Sequence, residues 1–420
     1  MKYTYNTIQV ETVKEFYQAL KDGYGFRRIQ TSQKVKDQVF SYVSKKGLSP
    51  FHMTILGNCY YNGYGVEKNE IEAVLWYQKA AELEDPIAQN CLGFCCQFGH
   101  GIEKDDKQAF FWYQKSAEQG YAVAQNNLGL CYHLGDGAEK DSKQALFWFQ
   151  KSAEQEYTRA LNNLGLCYEN GSGVEQDAAQ AVFWYQKAAE LGDAVAQCNL
   201  AFCYEYGEGI KQDVTQAVFW YQKSAQQGNA RAQNNLGLNY KYGYGIEQDD
   251  VKAMNYFQKA AEQGYARAQC NLGSCYFYGE GVEKDLPKAV SWLQKAAEQE
   301  DIEAQYFLGA CYETGEGVKQ NLSKAFFWYQ KASEQGNAFA QYLLGTCYNE
   351  GKGVKQDLSK AVEWFQKAAE QGEEEAQFQL GHCYEYGRGI KQDLSKALFW
   401  YQKAASNGSE TAKKALKNMI

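Results

Sequence analysis

The chain has 420 residues, 64 of them aromatic (33 Tyr, 22 Phe and 9 Trp), and only three prolines, so it can pack a core along its length and has no proline-rich or disordered tract. Its net charge of -8 is spread over loops and outer helix faces without a basic stripe, which argues against nucleic acid and anionic membrane as partners. No apolar run approaches the roughly 20 residues that span a bilayer, and the N-terminus lacks the apolar stretch of a secretory signal, so we expect a cytoplasmic protein with no membrane insertion.

Residues 1–48 predict a helical segment that caps the chain that follows. The first helix opens at Thr12, where Glu15 supplies the second half of a capping box, and ends near Gly23. The second helix runs from about Ser32 to Lys46. An alternative use of this segment is a small separate contact site formed by Arg27, Arg28 and the nearby lysines.

Residues 49–408 consist of ten copies of a 36-residue unit. A Leu-Gly pair marks the copies from Leu56-Gly57 to Leu380-Gly381, and Ala201 replaces the glycine in the fifth. A spacing without drift predicts one supersecondary unit stacked on copies of itself, which is a solenoid.

The first half of each unit predicts a helix, which we call helix A. In the fourth repeat its apolar residues are spaced i, i+4, i+7 and i+8, as on one buried helical face: Ala160, Leu164, Cys167 and Tyr168. Gly171 stands where a left-handed residue ends a helix, and Gly173 lets the backbone turn.

The second half of each unit predicts helix B. Asp177 occupies the N-cap position, which is Asp or Asn in every repeat from Asn69 to Asp393. A capping box is indicated by the residue three positions later in the first five repeats: Glu72, Gln108, Gln144, Gln180 and Gln216. In the fourth repeat helix B ends near Gly192.

Every tryptophan of the chain occupies one helix B position: Trp76, Trp112, Trp148, Trp184, Trp220, Trp292, Trp328, Trp364 and Trp400. We interpret them as packing residues between neighbouring helices, with ligand contact as the alternative. Residues 409–420 predict a C-terminal capping helix, because Ala412 and Leu416 begin an eleventh helix A whose outer side carries lysines.

The repeat string L-G-x-C-Y-x-x-G-x-G-V/I-x-x-D-x-x-x-A-x-x-W-Y-Q-K-A-A-E-Q-G resembles the Sel1-like repeat, a relative of the tetratricopeptide repeat, from about residue 50 to the C-terminus. The resemblance implies an all-α fold: a right-handed α-solenoid superhelix of antiparallel helix pairs with helix A on the concave side. It also implies an adaptor role, since members act in signalling, protein quality control, cell-wall synthase regulation and host-pathogen contact.

Nine of the 13 cysteines occupy one helix A position, for which a small buried side chain is the simplest explanation, because Asn239 replaces the thiol in the sixth repeat. The second cysteine of secreted, cysteine-rich relatives is absent, so we expect free thiols. The spacing also fits no zinc pattern, and we expect no metal or cofactor. Those relatives have been described as β-lactamase-like, but the chain has no S-x-x-K motif, so a hydrolase is the least favoured function and we expect no enzyme.

Residues that differ between repeats are the candidates for partner binding. Projection at about 100° per residue places three helix A positions on the concave side. Two of them supply the candidate binding residues: Asn90, Phe94, Asn126, Leu130, Asn162, Leu166, Phe202, Asn234 and Leu238 in the first half, and Tyr306, Tyr342 and Phe378 in the second. The third position holds His133, Glu169, Glu205 and Lys241 in the first half. The amides are expected to pair with the main chain of a bound peptide, and the apolar residues with its side chains. The alternative is that the asparagines bridge neighbouring helices.

A second candidate surface lies on helix B, where the residue before the tryptophan projects away from the core. In repeats two to five it is phenylalanine: Phe111, Phe147, Phe183 and Phe219. A convex apolar stripe favours an interface, whereas packing against the next repeat is the alternative. The sequence thus predicts an adaptor that binds a protein or peptide partner in the concave groove; the alternative is a scaffold that forms a homo-oligomer through this stripe.

Overall fold

A computed structural model describes residues 8–21, 29–45 and 49–419. The N-terminal segment contains β1 (Ile8–Gln9), α1 (Val13–Lys21), β2 (Ile29–Gln30) and α2 (Gln33–Lys45). Both predicted helices are confirmed within the described residues. The predicted helix ends at Gly23 and Lys46 lie outside the described residues, as does the alternative contact site at Arg27 and Arg28.

The sequence did not predict the two strands, which pair in parallel with Ile8 opposite Ile29. At their end the amide of Val10 donates to the carbonyl of Gln30 at 2.9 Å. Strands of two residues are too short to show the alternation of apolar and polar residues by which a strand is recognised in a sequence. The segment shares a buried cluster with the first helix A, in which Phe16 and Val39 pack with Leu56.

Ten helices alternate as helix A of successive repeats: α3 (Pro50–Asn62), α5 (Pro86–Phe98), α7 (Ala122–Leu134), α9 (Thr158–Asn170), α11 (Ala194–Tyr206), α13 (Ala230–Tyr242), α15 (Ala266–Tyr278), α17 (Ile302–Thr314), α19 (Ala338–Glu350) and α21 (Glu374–Tyr386). The intervening helix B elements are α4 (Glu70–Glu82), α6 (Asp106–Glu118), α8 (Ser142–Ala153), α10 (Ala178–Glu190), α12 (Val214–Gln226), α14 (Asp250–Glu262), α16 (Leu286–Glu298), α18 (Leu322–Glu334), α20 (Leu358–Glu370) and α22 (Leu394–Ser406). The described chain ends with α23 (Glu410–Met419).

The predicted N-caps of helix B are confirmed. The second hydrogen bond of the predicted capping box, from the N-cap amide to the side chain three residues later, is wrong. In α8 the Asp141 carboxylate accepts from the amides of Lys143 and Gln144. The Asp141 amide, however, donates to the carbonyl of Tyr132 at the end of helix A, at 2.9 Å. Because helix A already supplies this acceptor, the Gln144 side chain is left exposed.

The Leu-Gly pair is explained by a buried ring of helix B. A Cβ atom on Gly129 would lie 2.6 Å from Phe149 Cε1, so the glycine lets this ring lie against helix A without a displacement. In most repeats this fully buried ring belongs to the residue directly after the tryptophan, and the tryptophan itself is less buried. Trp220 is 9 % exposed, and the other tryptophans are partly buried.

The chain divides into two compact units. The first, residues 1–227, contains the N-terminal segment and repeats one to five; the second, residues 228–420, contains repeats six to ten and α23. Each unit is a stack of antiparallel helix pairs with its own buried core. In the second unit α23 buries Ala412 and partly buries Leu416, as expected for an eleventh helix A.

Candidate functional site

The asparagines predicted to bind a peptide lie between neighbouring A helices. The Nδ2 group of Asn163 donates to Asn126 Oδ1 at 2.9 Å, and Asn126 is only 2 % exposed. The same bond joins three further pairs: Asn127 to Asn90, Asn199 to Asn162, and Asn271 to Asn234. These amides therefore hold adjacent repeats together, the role left open as the alternative, and their binding of a peptide stays a prediction.

The four apolar residues predicted beside them occupy equivalent positions in successive A helices of the first unit. Phe94 and Leu166 are exposed, while Leu130 and Phe202 are partly buried. The position is apolar in all four helices, although more than a third of the surface of Phe94 and of Leu166 contacts solvent.

One helical turn later the structure adds exposed apolar residues that sequence reasoning missed. Phe98, Leu134 and Tyr206 are 56–61 % exposed at the ends of α5, α7 and α11. They directly precede the loop glycine, and their i+4 spacing from the predicted positions was the available signal. The apolar strip, as we call it, consists of Phe94, Phe98, Leu130, Leu134, Leu166, Phe202 and Tyr206.

Carboxylates border the strip because the buried helix B tyrosines need acceptors. The Tyr221 hydroxyl donates to Glu205 Oε2 at 2.8 Å, and the Tyr185 hydroxyl donates to Glu169 Oε2. Glu205, together with partial burial and Glu208, raises the pKa of Tyr206. The strip therefore has an acidic edge in repeats four and five.

In the second unit the predicted aromatic residues are partly buried against other rings. Tyr306 lies 5.6 Å from Phe339 between ring centroids, and Phe378 lies 5.5 Å from Tyr401. Tyr342 packs similarly, and Leu238 is also partly buried. Exposed rings occur at helix ends here too: Tyr242, Tyr278 and Tyr386.

The helix B phenylalanines of repeats two to five are 43–46 % exposed: Phe111, Phe147, Phe183 and Phe219. Each ring meets the following tryptophan edge to face, as Phe147 meets Trp148 at 5.1 Å between centroids. In the fourth repeat the Lys187 ammonium lies 4.6 Å from the Phe183 centroid. About half of each ring is therefore available to a partner.

An open cleft of about 830 Å³ lies between the N-terminal segment and the first two repeats. His100 stacks on Phe94 at 5.7 Å between centroids, and its Nδ1 atom lies 3.6 Å from Glu70 Oε2. A hydrogen bond from Lys68 to Glu70, at 2.8 Å, lowers the pKa of this carboxyl. Because Lys68 already neutralises Glu70, the cleft presents no isolated charge there.

All 13 cysteines are free thiols, and all are buried except Cys91, which is partly buried. Burial raises the pKa of Cys59 to about 12 and that of Cys383 to about 11. Within residues 8–21, 29–45 and 49–419, no three His, Cys, Asp or Glu side chains are grouped as metal ligands would be. Each helix in those ranges is too short or too polar to cross a bilayer.

Comparison with known sequences identifies the repeat. A profile described as Sel1 repeat matches ten consecutive segments, of which the first covers residues 53–85 and the last residues 374–409. The matched segments together cover residues 53–409 without a gap. A comparison with curated proteins finds no significant match.

Two solved structures are similar over most of the chain. A protective antigen of uropathogenic Escherichia coli strains, described as displaying an SLR fold, is 34% identical with a TM-score of 0.71, and the alignment covers 97% of this chain and 90% of the antigen. A Sel1 repeat protein from Oxalobacter formigenes is 36% identical with a TM-score of 0.56, covering 73% of this chain and 90% of that protein. These similarities confirm the predicted all-α solenoid of paired helices.

Proposed function

The chain belongs to the Sel1 repeat family, whose solenoids generally mediate protein-protein interaction, and on this basis we propose that its first unit binds a segment of a partner protein along the apolar strip. The proposal is supported mainly by Phe98, Leu134 and Tyr206, large apolar residues that are 56–61 % exposed. Clusters of exposed apolar side chains mark interaction sites on soluble proteins.

The strip is suited to this role because its residues stand on a rigid frame. Interrepeat amide bonds such as Asn163 to Asn126, at 2.9 Å, fix neighbouring A helices beside each other. A binding surface carried on a preorganised backbone loses less conformational freedom on binding than one carried on a flexible segment. A bound segment would place its own apolar side chains between those of successive repeats.

Selection from a library of displayed random dodecapeptides tests the proposal. We expect the wild-type protein to enrich peptides that no longer bind after Leu134→Ser combined with Leu166→Ser. Both residues are exposed, so these changes leave the core intact. The matched control, Phe183→Ser on helix B, should keep binding. The proposal is contradicted if the enriched peptides bind the Leu134→Ser, Leu166→Ser variant as tightly as they bind the wild type.

A second candidate function, self-association through helix B, is favoured by the half-exposed phenylalanines. If they form an interface between copies, the mass measured by analytical ultracentrifugation rises with protein concentration. Phe147→Ser with Phe183→Ser should abolish this rise, whereas Leu134→Ser with Leu166→Ser should not. A wild-type protein that is monomeric at every concentration excludes this function, and unfolding of the variant would assign the rings to the core.

A further inference from the structure

One pair of positions, 39 residues apart in sequence, brings adjacent repeats into contact beside helix A. In the second unit it joins Lys241 to Glu280, with Nζ and Oε2 2.7 Å apart. It also joins Glu313 to Lys352, with Oε1 and Nζ 2.8 Å apart and a sequence separation of 39. In both cases a lysine and a glutamate of neighbouring repeats neutralise each other.

The same pair of positions is also in contact at the start of the first unit. At the start of the array they hold Tyr61 and His100, whose ring centroids are 5.8 Å apart. In repeats four and five the equivalent positions hold Glu169 and Glu208, again 39 residues apart in sequence. Repeat geometry thus places two carboxylates where the second unit places a lysine and a glutamate.

No lysine, arginine or histidine among the described residues forms an ion pair with Glu169 or Glu208. Glu169 accepts a hydrogen bond from the neutral Tyr185 hydroxyl, which holds the carboxylate in place without removing its charge. Like charges in neighbouring positions repel each other. Two such carboxylates are stabilised by a cation placed between them.

The pair lies beside the apolar strip. Glu169 is one turn beyond Leu166 in α9, and Glu208 follows Tyr206 across the loop glycine. Glu205, one turn beyond Phe202, adds a third carboxylate to this edge. A ligand that covers the strip in repeats four and five therefore meets apolar surface on one side and negative charge on the other.

We propose that the segment bound by the apolar strip is basic and amphipathic, and that it brings a lysine or arginine side chain to Glu169 and Glu208. This basic side chain takes the place that Lys241 and Lys352 take within the chain itself. Charge complementarity of this kind selects among partners and increases the association rate. The proposal rests on the function proposed above and names the chemistry of the partner.

The displayed dodecapeptide library, screened in the presence of EDTA, tests this proposal. We expect peptides enriched by the wild type to carry lysine or arginine next to apolar residues. Their binding should weaken about tenfold on Glu169→Gln with Glu208→Gln. Charge reversal at the other position, Glu208→Lys, keeps Glu169 as the acceptor of the Tyr185 hydroxyl and should abolish the preference for basic peptides. The matched control, Glu118→Gln with Glu190→Gln, removes two exposed charges from helix B ends and should leave binding unchanged.

The outcomes separate the two proposals. Peptides that need Leu134 and Leu166 but carry no excess of basic residues overturn the basic partner and leave binding on the strip intact. Basic peptides that bind the glutamine variant as tightly as the wild type overturn it as well. If no enriched peptide depends on the strip, the proposed function itself is wrong.

Discussion

At the scale of single residues, the buried helix B hydroxyl and its helix A acceptor change together in nine of the ten repeats, while in the first repeat Tyr77 donates to Asn58 instead. Five tyrosines donate to a residue 16 positions earlier: Tyr113 to Gln97, Tyr185 to Glu169, Tyr221 to Glu205, Tyr329 to Glu313 and Tyr401 to Glu385. Four repeats lack the hydroxyl, and their acceptor position is different: Phe149 with His133, Phe257 with Lys241, Leu293 with Phe277 and Phe365 with Asn349. A buried hydroxyl needs an acceptor, so the acceptor is required only where the hydroxyl is present.

This pairing predicts a strong coupling between Tyr185 and Glu169. Glu169→Leu leaves a buried hydroxyl without its acceptor and should lower the free energy of unfolding by about 1–3 kcal/mol. Tyr185→Phe, which leaves a carboxylate that water can reach, should cost only about 0.5–1.5 kcal/mol. The double variant should cost less than the sum when measured by urea unfolding. Additive losses would show that the hydrogen bond contributes nothing.

Three repeats end helix B with a strained glutamate. Glu84, Glu156 and Glu300 adopt left-handed backbone angles with φ between 57° and 66°, where the other seven repeats have glycine. A left-handed residue other than glycine costs roughly 1–2 kcal/mol, and the greater freedom of glycine in the unfolded chain offsets part of this.

We therefore expect Glu156→Gly to raise the free energy of unfolding by about 0.5–1 kcal/mol. The matched reverse change, Gly192→Glu in the next repeat, should lower it by a similar amount. Urea unfolding midpoints of the two variants provide the test. A Glu156→Gly variant less stable than the wild type would mean that the glutamate side chain makes a contact worth more than the backbone strain.

At the scale of secondary-structure elements, paired glutamines connect successive helices. Gln125 Nε2 donates to the Ala117 carbonyl at the end of α6, at 3.2 Å, and Gln155 Nε2 donates to Gln125 Oε1 at 2.9 Å. Seven other repeats have a glutamine or asparagine pair at these positions. Repeats one and four replace both members by apolar residues: Met53 with Leu83, and Leu161 with Leu191.

Because both glutamines are replaced together in these two repeats, we predict that Gln125→Leu with Gln155→Leu leaves the free energy of unfolding nearly unchanged. Removing one partner of a buried hydrogen bond leaves the other unsatisfied, whereas replacing both by apolar groups avoids that cost. Gln155→Leu alone should cost about 1–3 kcal/mol because Gln125 Oε1 loses its donor. Thermal unfolding of the two single variants and the double variant gives the coupling energy. A double variant as unstable as the summed singles would contradict the prediction.

The sequence was sufficient to predict the helices but not the two short strands or how adjacent repeats meet. Fixed spacing and residues such as Asp177 and Gly171 predicted helix ends, because capping depends on local chemistry. Projection of helix A identified which residues leave its own core but not which of them the next repeat covers. For this reason Asn126 was predicted to face a ligand although Asn163 of the next repeat bonds to it. The exposure of Tyr206 depends on the same packing.

At the scale of the whole molecule, a buried thiol with a raised pKa recurs at the same helix A position along the chain. Burial raises the pKa of the thiol to about 12 in five repeats, those of Cys59, Cys95, Cys131, Cys311 and Cys347. It raises the pKa to about 11 in three more, those of Cys167, Cys275 and Cys383. Each group contributes a small dependence of stability on pH, and the contributions have the same sign.

We therefore expect the protein to lose stability steadily as the pH rises above about 8.5, the ordinary pKa of a thiol. Above that pH the unfolded chain releases thiol protons that the folded chain keeps until about pH 11–12. The unfolded state then binds fewer protons, so the free energy of unfolding falls with pH. Thermal midpoints between pH 7.5 and 10.5 under reducing conditions measure this slope. Cys131→Ala with Cys167→Ala is less stable at neutral pH because two buried side chains are truncated, but its slope should be shallower because two titrating groups are gone. An unchanged slope would show that ionisation of other groups, such as the buried tyrosines, causes the alkaline loss of stability.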